Sequence, residues 1–190
     1  MGGPATGKST NAAGLFYRMK RSGINCEYIQ EYAKDKTWSE DKQTLMCQPY
    51  VTGKQFYRTA RLLGKVDVAV TDSPILTGIL YQGFGCTPSW EKWAVEAFNE
   101  FNNLNIFLVR NSDNHPYNPM GRNQTEEEAK DKDREMREIL DKYNIPYLVV
   151  EASYTDLVTS HVQPLVASLE VAQNHLRATA QYLRWHGEQV

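Results

Sequence analysis

The stretch Gly2-Gly3-Pro4-Ala5-Thr6-Gly7-Lys8-Ser9-Thr10 has the residue types and spacing of a phosphate-binding loop, G-x-x-x-x-G-K-[ST]. Each part answers to triphosphate chemistry. Gly2 and Gly7 let the backbone turn tightly around Gly3, Pro4, Ala5 and Thr6, so that successive N–H groups can face phosphate oxygens. Lys8 brings a point charge to the β- and γ-phosphates, and the Ser9 hydroxyl is a ligand for Mg²⁺. Thr10 offers a further hydroxyl to the α-phosphate. A helix with Ala12, Leu15, Phe16 and Met19 at helical spacing follows, and its positive N-terminal end faces the same anion. A glycine-rich turn that merely caps a helix is the plainer alternative, but the motif demands the apolar helix found here. The implied cofactors are ATP and Mg²⁺.

Charged residues fall where strands should end beside this loop. Val66–Thr71 reads as a buried strand, and Asp72 follows it as a carboxylate that could hold Mg²⁺ directly or through water. Asp72-Ser73-Pro74 also reads as a helix start, with Ser73 as cap and Pro74 at the first helical position. Glu31 ends a strand over 24–30 and could accept the proton of an acceptor hydroxyl as a phosphoryl group arrives; a solvated loop acid is the bland reading. Arg110 follows the strand Leu104–Val109, and Arg122 lies beside Gly121 in an aperiodic polar stretch, 111–123. Arginines bounding such a stretch suit a lid that closes over a nucleotide, with Arg110 as a nucleotide contact and Arg122 as a catalytic one. For the acceptor, Gln55 and Arg58 share a helix face, while Trp38 and Tyr81 could stack on a base.

The elements that must position these residues alternate along the chain. Helices are expected over Lys8–Arg21, after Ser39 (carrying Leu45 and Met46), over Gln48–Leu63 and from Thr87-Pro88 through Phe101. In the Gln48–Leu63 helix, Tyr50, Phe56, Tyr57 and Leu62 are the expected inward residues, and Gly53 is a weak point. Thr125-x-x-Glu128 is a capping box for a helix to about Tyr143, whose acid–base pairs four apart read as a solvated face. Pro146–Val150 is the last strand, and a helical tail is expected over about 165–190. The alternation implies an α/β fold with a mainly parallel sheet covered on both faces, in a single domain over 1–190.

Bulk properties narrow the classes. A net charge of −2 and a pI near 6.1 give no general basic field for nucleic acid. Three cysteines, widely spaced and without C-x-x-C, fit a reducing cytoplasm rather than a disulfide framework. No apolar run reaches membrane-spanning length.

On the loop at 2–10, Glu31-Tyr32-Ala33-Lys34 with Trp38, Thr71-Asp72-Ser73-Pro74, and Gly121-Arg122 before an acidic helix, the chain resembles the P-loop nucleoside and nucleotide kinases. The likeness is greatest to phage and bacterial kinase-like proteins related to ribosylnicotinamide kinases, and to deoxynucleoside kinases, over about 2–160. The resemblance implies a three-layer P-loop fold and phosphoryl transfer from ATP to a nucleoside, nucleotide or ribosylnicotinamide-like acceptor. It makes Glu31 the acceptor-site acid, Asp72 the acid after the third strand and Arg122 the lid arginine. One departure stands out: many such kinases carry an arginine where Ser73 stands, a role that falls to Arg58 or Arg61 or is not needed. Competing readings keep the loop and change the acceptor: water, in an ATPase or GTPase, or a modified base in phage DNA. By the same resemblance, the strand that normally precedes the loop is missing before Met1. The expected order is therefore 24–30, 66–71, a gap, 104–109 and 146–150, with an apolar strand upstream of Met1 in the working protein.

Overall fold

The computed structural model describes residues 1–81, 83–110 and 125–151. The lid stretch, with Arg122, and the helical tail lie outside them. Eleven elements follow in order: α1 (Lys8–Arg21), β1 (Cys26–Ile29), α2 (Tyr32–Trp38), α3 (Lys42–Leu45), α4 (Gln48–Ala60), β2 (Val68–Thr71), a 3-10 helix (Ile75–Leu80), α5 (Pro88–Asn99), β3 (Ile106–Val109), α6 (Glu126–Lys142) and β4 (Leu148–Glu151).

The strands form two parallel pairs. β1 pairs with β2, Cys26 opposite Val68 and Ile29 opposite Thr71. β3 pairs with β4, Ile106 opposite Leu148 and Val109 opposite Glu151. No ladder joins β2 to β3 among the described residues, so the sheet is split where the sequence places its gap. A cavity of about 540 Å³ lies there, lined by Val68–Thr71 on one side, Ile106 and Leu108 on the other, and Ala12, Leu15 and Met19 of α1 above. Met1 touches its rim: the Met1 carbonyl accepts from Leu108 N–H at 2.9 Å, and the Met1 nitrogen donates to the Ile106 carbonyl.

Each half has its own packing. Ala12, Met19, Ile24, Cys26 and Val70 bury α1 against the β1–β2 pair. The larger cluster joins the 3-10 helix (Ile75, Leu76, Ile79, Leu80) to α5, β3 and α6 through Phe98, Phe107, Met136 and Leu140. At roughly 25 cal/mol per Å² of apolar surface buried, such clusters are the main source of stability.

Local starts and stops explain the boundaries. α1 ends at Gly23, whose φ of 77° suits a residue without Cβ, and Ile24 N–H closes back on Met19 O at 3.0 Å. The box at Thr125 and Glu128 opens α6 as expected. Other expectations shift. Ser39 closes an unforeseen α2, and Asp41, not Ser39, caps α3 by accepting from Thr44 N–H at 3.1 Å. α4 runs through Gly53 without a break, but its buried stripe is Gln48, Val51, Thr52 and Gln55, while Tyr50 and Tyr57 stay exposed. That stripe faces the 3-10 helix closely enough that a Cβ on Gly78 would collide with Thr52 Oγ1. Ser73 does not cap; the 3-10 helix follows Pro74 with no side-chain cap.

Candidate functional site

The loop between Met1 and α1 is built from unusual backbone. Gly7 has φ 78° and immediately precedes α1, which has no acid in its first turn to compete for its N–H groups. Ala5 also holds a positive φ, 62°, a conformation that costs an L-residue energy and that concave anion-binding loops use. Asn11 secures the turn, its amide donating to Gly7 O at 2.8 Å and its N–H to the same oxygen at 3.0 Å. Inside the loop, Lys8 Nζ donates to Gly3 O at 2.6 Å and Thr6 Oγ1 to Gly3 O at 3.1 Å. The ammonium is thus folded onto its own loop.

Glu31 and Asp72 face this lysine. Burial pulls the Lys8 pKa below the ordinary lysine range, and the charges of Glu31, Asp133 and Asp72 oppose that. Glu31 sits at the N-cap of α2 but makes no capping bond. Burial raises its pKa above the usual carboxylate value, against the pull of Lys8. A carboxylate that prefers its proton and does not cap its helix is suited to proton transfer. Asp72 is only 6% exposed, and its Oδ1 has no hydrogen-bond partner. Burial and the Asp72 charge raise the pKa of the Tyr28 phenol. An orphaned buried carboxylate oxygen beside a phosphate loop is what a Mg²⁺ ligand looks like without its ion. Among the described residues no group of three or more His, Cys, Asp or Glu side chains gathers around one point. Ser9, in the loop, and Asp72 are the oxygen donors here that could share an ion carried by a nucleotide.

The other flank is tied rather than open. Arg110 donates to Pro4 O at 2.6 Å and pairs with Asp133 of α6 at 3.1 Å. Asp133 Oδ1 in turn accepts from Gly3 N–H. A Cβ on Gly3 would meet Ala129 O and Asp133, so only glycine lets α6 approach the loop this closely.

A cavity of about 870 Å³ extends from the loop. Gly2, Pro4, Ala5, Gly7, Lys8, Ser9 and Thr10 of the loop line it, together with Glu31, Trp38, Met46, Thr52, Tyr81 and Lys132. Trp38 and Tyr81 are thus brought to the loop's cavity. Gln55 and Arg58 are not in its lining. Gln55 is 5% exposed and accepts from Tyr32 N–H at 3.0 Å; Arg58 donates to Gln30 O at 3.0 Å and pairs with Asp35 at 2.7 Å. Both brace α4 against the end of β1, so their polar groups are committed to the frame. Arg110 serves the loop's outer wall, and Arg122 lies outside the described residues.

The sequence reading missed Asp133, Thr52 and Tyr28. Asp133 was counted in a solvated face, yet it lies four residues after buried Ala129 and three before buried Met136, on the helix stripe that turns inward. A charge on an apolar stripe was the available signal. Lys142 likewise reaches Glu91 of α5 at 2.7 Å instead of a neighbour on its own helix.

No helix among the described residues is long and apolar enough to cross a membrane. No curated protein matches the chain. A family model described as an AAA domain matches residues 1–156, which span the loop, both strand pairs and the whole cavity. The chain therefore belongs to that AAA domain family, as a P-loop nucleotide-binding domain of α/β type.

Proposed function

We propose that the protein transfers the γ-phosphoryl group of ATP to a hydroxyl of a small nucleoside- or nucleotide-like acceptor. The observation that carries this reading is one cavity whose lining joins the phosphate loop to Glu31, a proton acceptor, and to an exposed tryptophan, Trp38. Its volume falls within the range of small-molecule sites.

In this reading the loop N–H groups and Lys8 hold the triphosphate, and Lys8 exchanges its bond to Gly3 O for phosphate oxygens. Ser9 and Asp72 would hold a Mg²⁺ ion carried by the nucleotide, which would supply positive charge to offset that of the phosphates. Glu31 takes the acceptor proton as the new O–P bond forms and the bond to the β-phosphate oxygen breaks, releasing ADP. Arg122, outside the described residues, is the further source of positive charge in this reading.

The test is an acceptor panel with γ-labelled ATP and Mg²⁺, scored for labelled product against ADP released without acceptor. Labelled product is expected. ADP release that no acceptor alters would assign the site to hydrolysis instead, and product on modified DNA alone would place the acceptor in a polymer.

A further inference from the structure

The cavity lining carries more positive charge than the phosphate loop alone supplies. Four lysines line the cavity, Lys8, Lys34, Lys42 and Lys132, against the single carboxylate of Glu31. Lys8 belongs to the loop. Lys132 is already engaged, donating to Leu80 O at 2.8 Å and to Glu135 at 2.6 Å. Lys34 and Lys42 form no salt bridge among the described residues, whereas Lys36, between them in sequence, is neutralised by Asp41 at 3.0 Å. Lys34 acts electrostatically on Glu31, and Lys42 has no ion-pair partner among the described residues, so both add positive potential to this concave wall.

Two further features describe what lies in that field. Trp38 is 64% exposed and lines the chamber, a large indole face turned to the space rather than to the core. Thr52 also lines it, is 2% exposed, and its Oγ1 has no hydrogen-bond partner. A buried hydroxyl without a partner is destabilising, and a polar ligand atom would satisfy it. The cavity lining thus offers an exposed indole, a hydroxyl and two cations, together with Glu31 as a proton acceptor.

We infer that the acceptor is an anionic nucleotide phosphorylated on a hydroxyl: it already bears a phosphate, which Lys34 and Lys42 receive, and it gains the new one at an O–H beside Glu31. This deepens the phosphoryl-transfer reading and rests on it. The chemistry balances. The acceptor oxygen bonds to the γ-phosphorus, the bond from that phosphorus to the β-phosphate oxygen breaks, the acceptor proton passes to Glu31 and on to solvent, and ADP leaves. Because a proton must be removed, the target is a sugar or base hydroxyl and not the acceptor's own phosphate oxygen, which at neutral pH needs no base. The product therefore has two separate phosphate monoesters, not a diphosphate.

The experiment compares nucleosides with their 5′-monophosphates, hydroxymethylated bases included, as acceptors for ATP and Mg²⁺, with ³¹P NMR of the product. Monophosphates are expected to exceed the matching nucleosides in kcat/KM by about tenfold or more, the scale of one charge-assisted contact. The product should show uncoupled monoester signals. Lys34→Gln and Lys42→Gln are each expected to raise the monophosphate KM about three- to tenfold and to shrink the preference, while Lys92→Gln, exposed on α5 and outside the cavity, leaves both unchanged. Nucleosides accepted as well as monophosphates, or coupled diphosphate signals, overturn this inference and leave phosphoryl transfer standing. ADP release with no labelled product from any acceptor overturns both.

Discussion

The phosphate loop has an open flank and a tied one. Toward β1 and β2 stand Glu31 and Asp72, one with a pKa raised by burial and the other with an orphaned oxygen. Toward β3 and α6 stand Arg110 and Asp133, paired with each other and with the backbone of Pro4 and Gly3. Both flanks place charge on the same loop, but only the open one leaves it uncompensated. Unsatisfied charge costs stability and is retained where chemistry uses it; satisfied charge holds shape. The difference separates residues that should change turnover from those that should change folding.

The largest effect is expected at the residue both flanks share. Lys8→Ala should lower turnover by more than about 10³-fold, since a desolvated phosphoryl group loses its charge partner, and should weaken nucleotide binding. ADP-release assays and calorimetry read the two effects; near-normal turnover would end any reading of the loop as the reacting site.

The open flank comes next. Glu31→Gln should reduce turnover by about 10²–10⁴ with nucleotide affinity kept, whereas Asp72→Asn should raise the Mg²⁺ concentration needed for half-maximal rate. Equal losses of nucleotide affinity in both variants would dissolve that division. The same substitution sharpens the comparison through pH. Folded Glu31 holds its proton more tightly than the unfolded chain does. Its contribution to stability is thus present below the ordinary carboxylate pKa and lost as pH rises through the folded value. Glu31→Gln should therefore raise Tm at neutral pH, with the gain fading toward acid, and the acid limb of the wild-type kcat/KM profile should lie above the usual carboxylate range. A variant that loses turnover and gains no Tm would place Glu31 with the satisfied charges.

The tied flank should respond in folding. Arg110→Met leaves Asp133, whose side chain is 18% exposed, without its cation, and should cost about 2–4 kcal/mol in urea unfolding. A stability loss too small to measure, beside a large loss of turnover, would move Arg110 to the catalytic side. The smallest effect is expected far from both. Thr125→Ala removes the α6 cap and should cost about 1 kcal/mol with turnover per folded molecule unchanged.

Much of this was legible in sequence, for reasons that differ by residue. The loop and α1 could be read because a contiguous motif fixes its own geometry, and the split between β2 and β3 was what the resemblance to P-loop kinases implied. Glu31, Trp38 and Tyr81 could be marked by position and type. Gln55 and Arg58 could be placed on one helix face, but not which face the fold would turn inward, since α4 buries its polar stripe and exposes two tyrosines. Asp133 was hidden for the opposite reason: its partners, Gly3 and Arg110, are 130 and 23 residues away, and local helical pairing offers a nearer explanation for every charge on α6. Long-range pairing has no local spacing to betray it.

Gly3 occupies a place that the phosphate-loop pattern writes as x, free to be anything. Here it is not free, because the helix backbone at Ala129 fills the space a side chain would take. A saturation library over 2–10 should find this position as intolerant as Gly2 and Gly7. The information needed to specify the loop is therefore larger than its signature, and part of it is written more than a hundred residues downstream. Chains that keep the signature but pack a different helix against it can diversify at that position. In this chain, Gly3 and the α6 backbone are sterically coupled, so a side chain at 3 requires α6 to move.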